Sequence, residues 1–157
     1  MAIYLKIEGI KGNVTEKGHN DWIECHSLQW GVGRAISSTV GAGKNRESSM
    51  PSISEISVTK QMDDASPKLF EEACVGDGKK YTIHLTKTGE GAEVYTEFEL
   101  EDCMISSYSQ SSGGDRPQES VSLSFSKITM KYTPFDDKNK KGTPVSAGYD
   151  LNKGTKV

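Results

Sequence analysis

Asp63-Asp64-Ala65-Ser66-Pro67-Lys68-Leu69-Phe70-Glu71-Glu72-Ala73-Cys74-Val75-Gly76 decides the fold class, because it alone breaks the pattern on either side of it. Ser66 can cap free backbone N–H groups, Pro67 at the first helical position loses no hydrogen bond, and Gly76 can supply a left-handed stop. Asp63 and Asp64 suit the positive end of the dipole. Leu69/Ala73 and Phe70/Cys74 are i, i+4 pairs on one side. A helix of about ten residues is marginal alone in water, so a helix over about 66–75 must dock on the rest of the chain.

The rest alternates with the period of strands. Ile3, Leu5 and Ile7 interleave with Tyr4, Lys6 and Glu8, and Gly9-Ile10-Lys11-Gly12-Asn13 punctuates the run. From Trp22 to Val32 the apolar parity changes phase, which predicts a bulge near Cys25-His26-Ser27. Ile56 and Val58 open a strand to about Met62. Tyr81, Ile83 and Leu85, a Gly89-Glu90-Gly91 turn, and Val94 to about Ser112 read as a hairpin of long strands. Val121, Leu123 and Phe125 alternate, Ile128, Met130 and Tyr132 take the other phase, and a second bulge is implied near Ser126-Lys127. Val145 to Leu151 adds a last short strand. Many strands and one helix point to an antiparallel barrel or sandwich.

One segment does not fit. Residues 31–52 hold Gly31, Gly33, Gly41, Gly43, Pro51 and the charged run Lys44-Asn45-Arg46-Glu47, with little apolar periodicity. A connection of around 20 residues is uncommon in a compact domain and is either functional or disordered.

At 157 residues the chain has the length of one domain, 1–157. Its net charge of −3 is too small and too mixed to argue for nucleic acid or a membrane surface. No stretch approaches the roughly 18 apolar residues of a membrane span, and the start shows no signal-peptide pattern, so synthesis and folding in the cytoplasm are expected. Three cysteines without CxxC spacing, Cys25, Cys74 and Cys103, read as buried free thiols.

Sites of chemistry are scarce. His19, His26 and His84 show no ligand spacing, and His26 and His84 sit opposite their apolar neighbours, so surface or satisfied-core histidines are expected and no metal. Gly41-Ala42-Gly43-Lys44 lacks the spacing of a phosphate loop. No catalytic residue and no cofactor are predicted. Between Ile105 and Ser112 hydroxyls occupy both faces, relieved by Tyr108 and Gln110, so that half-strand must face water, a polar cavity or a polar surface.

The run Tyr4-Leu5-Lys6-Ile7-Glu8-Gly9-Ile10-Lys11-Gly12, then His19, Trp22-Ile23 and Trp30-Gly31, resembles the opening of the haemolysin-coregulated protein family, the tube protein of bacterial type VI secretion. Asp63–Phe70 is similar to that family's most recognisable internal stretch. Arg116-Pro117, Ser120-Val121-Ser122-Leu123-Ser124-Phe125, Tyr132-Thr133-Pro134 and Gly148-Tyr149-Asp150-Leu151 continue the resemblance in order, with Tyr149 where the family has Trp.

The resemblance implies a barrel of two packed sheets with one short helix. Six copies would close into a homohexameric ring, and rings would stack into a hollow tube. A contractile sheath would expel the tube with a spike at its tip, small effector proteins would ride in the lumen, and the protein would be secreted without a signal peptide. On this reading the long extended loop, about 31–52, carries contacts between subunits or rings through Val40, Gly41, Lys44, Arg46 and Met50. Ser107, Ser109 and Ser111 face the lumen. The rival expectation is a secreted effector or toxin enzyme using His26 or His84 as a base.

Overall fold

The computed structural model describes residues 1–38, 46–87 and 93–157. In chain order the elements are β1 (Ala2–Ile7), β2 (Ile23–Cys25), β3 (Ser27–Gln29), β4 (Val32–Gly33), β5 (Ile36–Ser38), β6 (Arg46–Ser48) and β7 (Ser52–Ile53). There follow β8 (Ile56–Gln61), the helix α1 (Ser66–Val75), β9 (Lys79–Thr86), β10 (Val94–Ser111) and β11 (Gln118–Ser124). The chain ends in β12 (Lys127–Tyr132), β13 (Val145–Asp150) and β14 (Thr155–Lys156).

All ladders are antiparallel, and they divide into two sheets that share β10. Its first half lies between β9 and β12, and its second half pairs with β11. One sheet runs β2-β1-β9-β10-β12-β13-β14 and the other β10-β11-β8-β3. Strands β2 and β3 are halves of one segment joined at His26, whose N–H donates to Thr59 O at 2.7 Å. The pairing therefore returns to the segment it left, which gives the barrel of two packed sheets. Both expected phase changes are corners where the chain passes from one sheet to the other. At the second, Ser126 N–H donates to Glu101 O at 3.1 Å.

The core lies between the sheets. Leu5, Ile7, Ile23, Ile56, Val58, Ile83, Leu100, Val121 and Leu123 are fully buried or nearly so, each side chain worth about 1.5–3 kcal/mol of transfer free energy. Helix α1 packs against β10 and buries Leu69, with Ala73 partly covered, but turns Phe70, Cys74 and Val75 to solvent. The side expected to bury Phe70 and Cys74 is thus the outer one, since a short helix on a sheet covers a single narrow stripe. Cys25 and Cys103 are buried as expected, with burial pushing both thiols up to about 12. Cys74 is exposed.

The helix ends also depart from expectation. Ala65 is the N-cap and Asp63 Oδ1 accepts its N–H at 3.0 Å, because the Ser66 hydroxyl points inward to a buried carboxylate. Gly76 is extended rather than left-handed, at φ −70. Glycine fits there because a Cβ would stand 2.5 Å from Glu72 O.

The segment read as a long extended loop is paired with itself. Val32 faces Ile53, Ile36 faces Ser48, and backbone bonds Ser49 N–H to Ala35 O and Ser54 N–H to Gly31 O tie the two sides together. The result is a two-stranded arm. Among the described residues of the arm, Ile53 packs against the core but the side chains of Val32, Ile36 and Met50 are more than half exposed, and this is why no period-2 pattern marks it.

Candidate functional site

The outer face of the β10-β11-β8-β3 sheet is built by register. Ser107 stands opposite Ser122, Ser122 opposite Ser57, and Ser57 opposite Gln29. The next row is Ser109, Ser120, Thr59 and Ser27, and a third is Ser111, Gln118 and Gln61. Because successive side chains alternate between faces, the same strands send Val121, Leu123, Ile56 and Val58 inward. A bulge at Ser106 sets the phase of the last half-strand, so Tyr108 turns inward, half-buried, and the hydroxyls of Ser107, Ser109 and Ser111 point out. That half-strand therefore has one drier side, unlike the doubly polar strand expected.

These rows hold hydroxyls and amides and no charge. Several hydroxyls bond across the strands, Ser27 Oγ to Thr59 Oγ1 at 2.5 Å and Ser57 Oγ to Ser122 Oγ at 3.4 Å. These three rows stay wet and offer little to either sign of charge, and beside them the exposed carboxylate of Glu55 accepts from Ser106 Oγ at 2.7 Å. The first apolar side chain beyond it is Met104, opposite Ser124 and partly exposed.

Directly beneath the face lies an ion pair that no sequence motif marks. Lys60 and Glu119 stand in register on β8 and β11 and point inward, and Lys60 is fully buried. Lys60 Nζ donates to Glu119 Oε1 at 2.6 Å, Asp63 Oδ1 at 2.9 Å and Gln61 O at 2.8 Å. Glu119 also accepts from Ser66 Oγ at 2.8 Å, Gln110 Nε2 at 2.7 Å and the Tyr108 hydroxyl. Burial alone would raise the Glu119 carboxyl, but the hydrogen bonds from Gln110, Lys60, Tyr108 and Ser66 outweigh it and hold the carboxyl low. Burial and the Glu119 charge push the Tyr108 hydroxyl up to about 12. Through Ser66 and Asp63 the network fastens the start of α1 to the inner side of the hydroxyl sheet.

The family model for type VI secretion system effector, Hcp, matches residues 4–132. The chain belongs to the Hcp family. A solved structure described as a type six secretion system protein is 28% identical, with a TM-score of 0.91 over 99% of each chain. Hcp1 from Salmonella typhimurium is 25% identical, with a TM-score of 0.81 over 99% of this chain and 98% of that one. A type VI secretion effector from Yersinia pestis, 23% identical with a TM-score of 0.74 over 94% of this chain and 98% of that one, shares the fold. Among curated protein sequences none matches. Type VI secretion and the tube-protein family are thereby established for this chain. Among the described residues no helix is long and apolar enough to cross a membrane.

Within this Hcp-family chain, the residues expected to make contacts are placed unevenly. Val40, Gly41 and Lys44 lie outside the described residues, as does the Gly89-Glu90-Gly91 turn, and Arg46 contributes backbone to β6. Met50 lies at the base of the arm, largely exposed, with its methyl against Gly154. Under the arm, Trp30, Pro51, Ile53, Ile128 and Tyr149 line an apolar groove of about 220 Å³. His26 is exposed at the corner between sheets. His19 and His84, expected to stand apart, share a hydrogen bond, because a loop folds His19 onto the outer side of β9. No group of three or more metal-binding side chains forms a metal site among the described residues.

Proposed function

We propose that the chain is the building block of the type VI tube, closing as a homohexamer with the hydroxyl sheet inward and stacking ring on ring. The observation that supports this is the three-row face of hydroxyls and amides. A lumen that passes folded cargo has to be wet and weakly adhesive over its whole wall, and an uncharged hydroxyl surface meets both needs for cargo of either charge. Ser107, Ser109 and Ser111 then face the lumen. Small effector proteins are the cargo, and the contractile sheath and the spike are the other partners. A ring requires a heterologous contact that closes, and stacking requires a second contact. The arm, with the segment Val40–Met50, is suited to the second, because Val32, Ile36 and Met50 leave their side chains exposed there. The protein acts as a structural part and not as an enzyme. His26 is exposed without a partner carboxylate in the hydrogen bonds seen, and every ring nitrogen of His19 and His84 is already engaged.

Electron microscopy of the purified protein, combined with spin-label distances, tests the reading. Rings should be visible. Labels at Ser109 should give shorter distances between subunits than labels at Lys80, which projects from the other sheet and is exposed. The reverse order would put the hydroxyl face outside and sink the proposal. Removing residues 40–49 should leave single rings and abolish long tubes.

A further inference from the structure

On the outward side of β1, β9 and β10, four ionisable side chains form one hydrogen-bonded chain. Glu16 Oε2 lies 2.5 Å from His19 Nδ1, His19 Nε2 lies 2.9 Å from His84 Nδ1, and His84 Nε2 lies 2.9 Å from Glu97 Oε2. The sheet register explains the assembly, since Tyr4, His84 and Glu97 are neighbours across β1, β9 and β10. The loop between β1 and β2 brings Glu16 and His19 over them. His19 is 4% exposed, its ring 4.6 Å from that of Tyr4 and 4.8 Å from that of Trp22, while Trp22 also covers His84 at 4.6 Å. Water cannot easily replace these contacts.

Counting hydrogens defines the state. A carboxylate only accepts, and a neutral imidazole has one donor and one acceptor. With both carboxylates ionised, the three contacts need three hydrogens on the four ring nitrogens. The two rings therefore share one positive charge. With only two hydrogens, one contact sets a lone pair against an acceptor. With four, two N–H groups would meet head-on at 2.9 Å.

We propose that Glu16, His19, His84 and Glu97 form a proton-counting clamp that holds the loop between β1 and β2 on the sheet, and that a second proton on the histidine pair releases it. On this face the clamp and Trp22 hold the loop, while its Ile10 and Val14 side chains are buried and anchor it to the body. Inside it, Gly12 N–H donates to Asp21 O at 2.8 Å and Val14 N–H to Trp22 O at 3.1 Å, and Gly12 runs so close to Trp22 O that a Cβ would stand 2.2 Å from it. At its other side Asn13 Oδ1 accepts the Asp64 N–H at 3.0 Å, just before α1. Release would therefore also free the approach to the helix.

The surroundings bear on when the second proton enters. Lys6 on β1 and Glu99 on β10 act in opposite directions, and Glu24 on β2 faces Tyr4. Burial first, then the neighbouring His19, lower the His84 pKa to about 4. A freed His84 regains the ordinary value of about 6.5, so opening takes up a proton between those limits. This inference stands apart from the tube reading, since it concerns one subunit.

Nitrogen-15 NMR of the histidine side chains in the full-length protein, with exposed His26 as internal reference, tests it together with hydrogen exchange. At neutral pH a coupling across the hydrogen bond between His19 Nε2 and His84 Nδ1 is expected, with three ring hydrogens on the pair. On acidification the coupling should vanish, and loop amides should exchange sooner than those of β9 and β10. The opening equilibrium should rise about tenfold per pH unit, the slope of one proton. His84→Gln should remove that slope. Two rings titrating independently without coupling would overturn the proposal, as would a loop that stays protected after the pair takes its second proton. If His84→Gln does not fold, the coupling and the wild-type slope decide alone.

Discussion

Two buried polar clusters sit in this barrel, and they differ in how their protons are counted. Around Lys60 and Glu119 every ammonium hydrogen has an oxygen to bond, and the carboxylate accepts from Lys60, Ser66, Tyr108 and Gln110. Donors and acceptors there balance without any group leaving its ordinary charge state. Between His19 and His84 the balance holds only while the rings share one charge. Burying charge does not itself make a site sensitive. Sensitivity comes from a count of hydrogens that one more or one fewer proton upsets.

Cutting the balanced cluster should have the largest effect. Glu119→Ala leaves Lys60 buried without its main partner and should cost about 3–5 kcal/mol in urea unfolding, whereas Lys60→Met with Glu119→Leu together should lie near the wild type or above it. A loss under about 1 kcal/mol for Glu119→Ala would mean that water reaches the pair.

Acid should act on the two clusters in sequence. His84 has a lowered pKa of about 4, so the unfolded chain takes its proton first, and stability falls as pH drops from about 6.5 toward 4. Glu119 also has a lowered pKa, so its contribution is present above the ordinary carboxylate range and is lost as pH falls through that range and below. Unfolding midpoints against pH should show both limbs. His84→Gln should flatten the upper limb and Glu119→Gln the lower, and a single limb removed by either variant would erase the contrast drawn above.

The smallest effect belongs to an exposed pair. Lys68 and Glu71 meet at 3.3 Å on α1 with both side chains more than half exposed. Lys68→Ala should change stability by less than about 0.5 kcal/mol, so that exposure rather than charge separates this pair from Lys60–Glu119.

The helix and most strands were legible because their signals are local: Pro67 and Gly76 bracket α1, and Ile3, Leu5 and Ile7 show a period of two. The Lys60–Glu119 pair left a readable trace, since Lys60 shares the parity of Ile56 and Val58, and Glu119 that of Val121 and Leu123. A charge on a dry parity calls for a partner. Its identity needed the register. The histidine pair left no trace, because 65 residues separate His19 from His84 and only the fold of a loop joins them. The corners at His26 and Ser126 read as bulges, since a phase change looks the same in sequence whether a strand bulges or changes sheet. The hydroxyl face was seen on one strand, at Ser107, Ser109 and Ser111, but its extension across β11, β8 and β3 depends on pairing between distant segments.

Strand β10 spans Val94–Ser111 and is the seam of both sheets. Force applied along the barrel would load its ladders in shear, with many backbone bonds resisting at once, instead of peeling a sheet from its edge one bond at a time. The same strand carries Glu97 on the histidine face and Ser109 on the hydroxyl face. A load on one of these two outer surfaces would therefore move the other with it, tied by a single covalent chain.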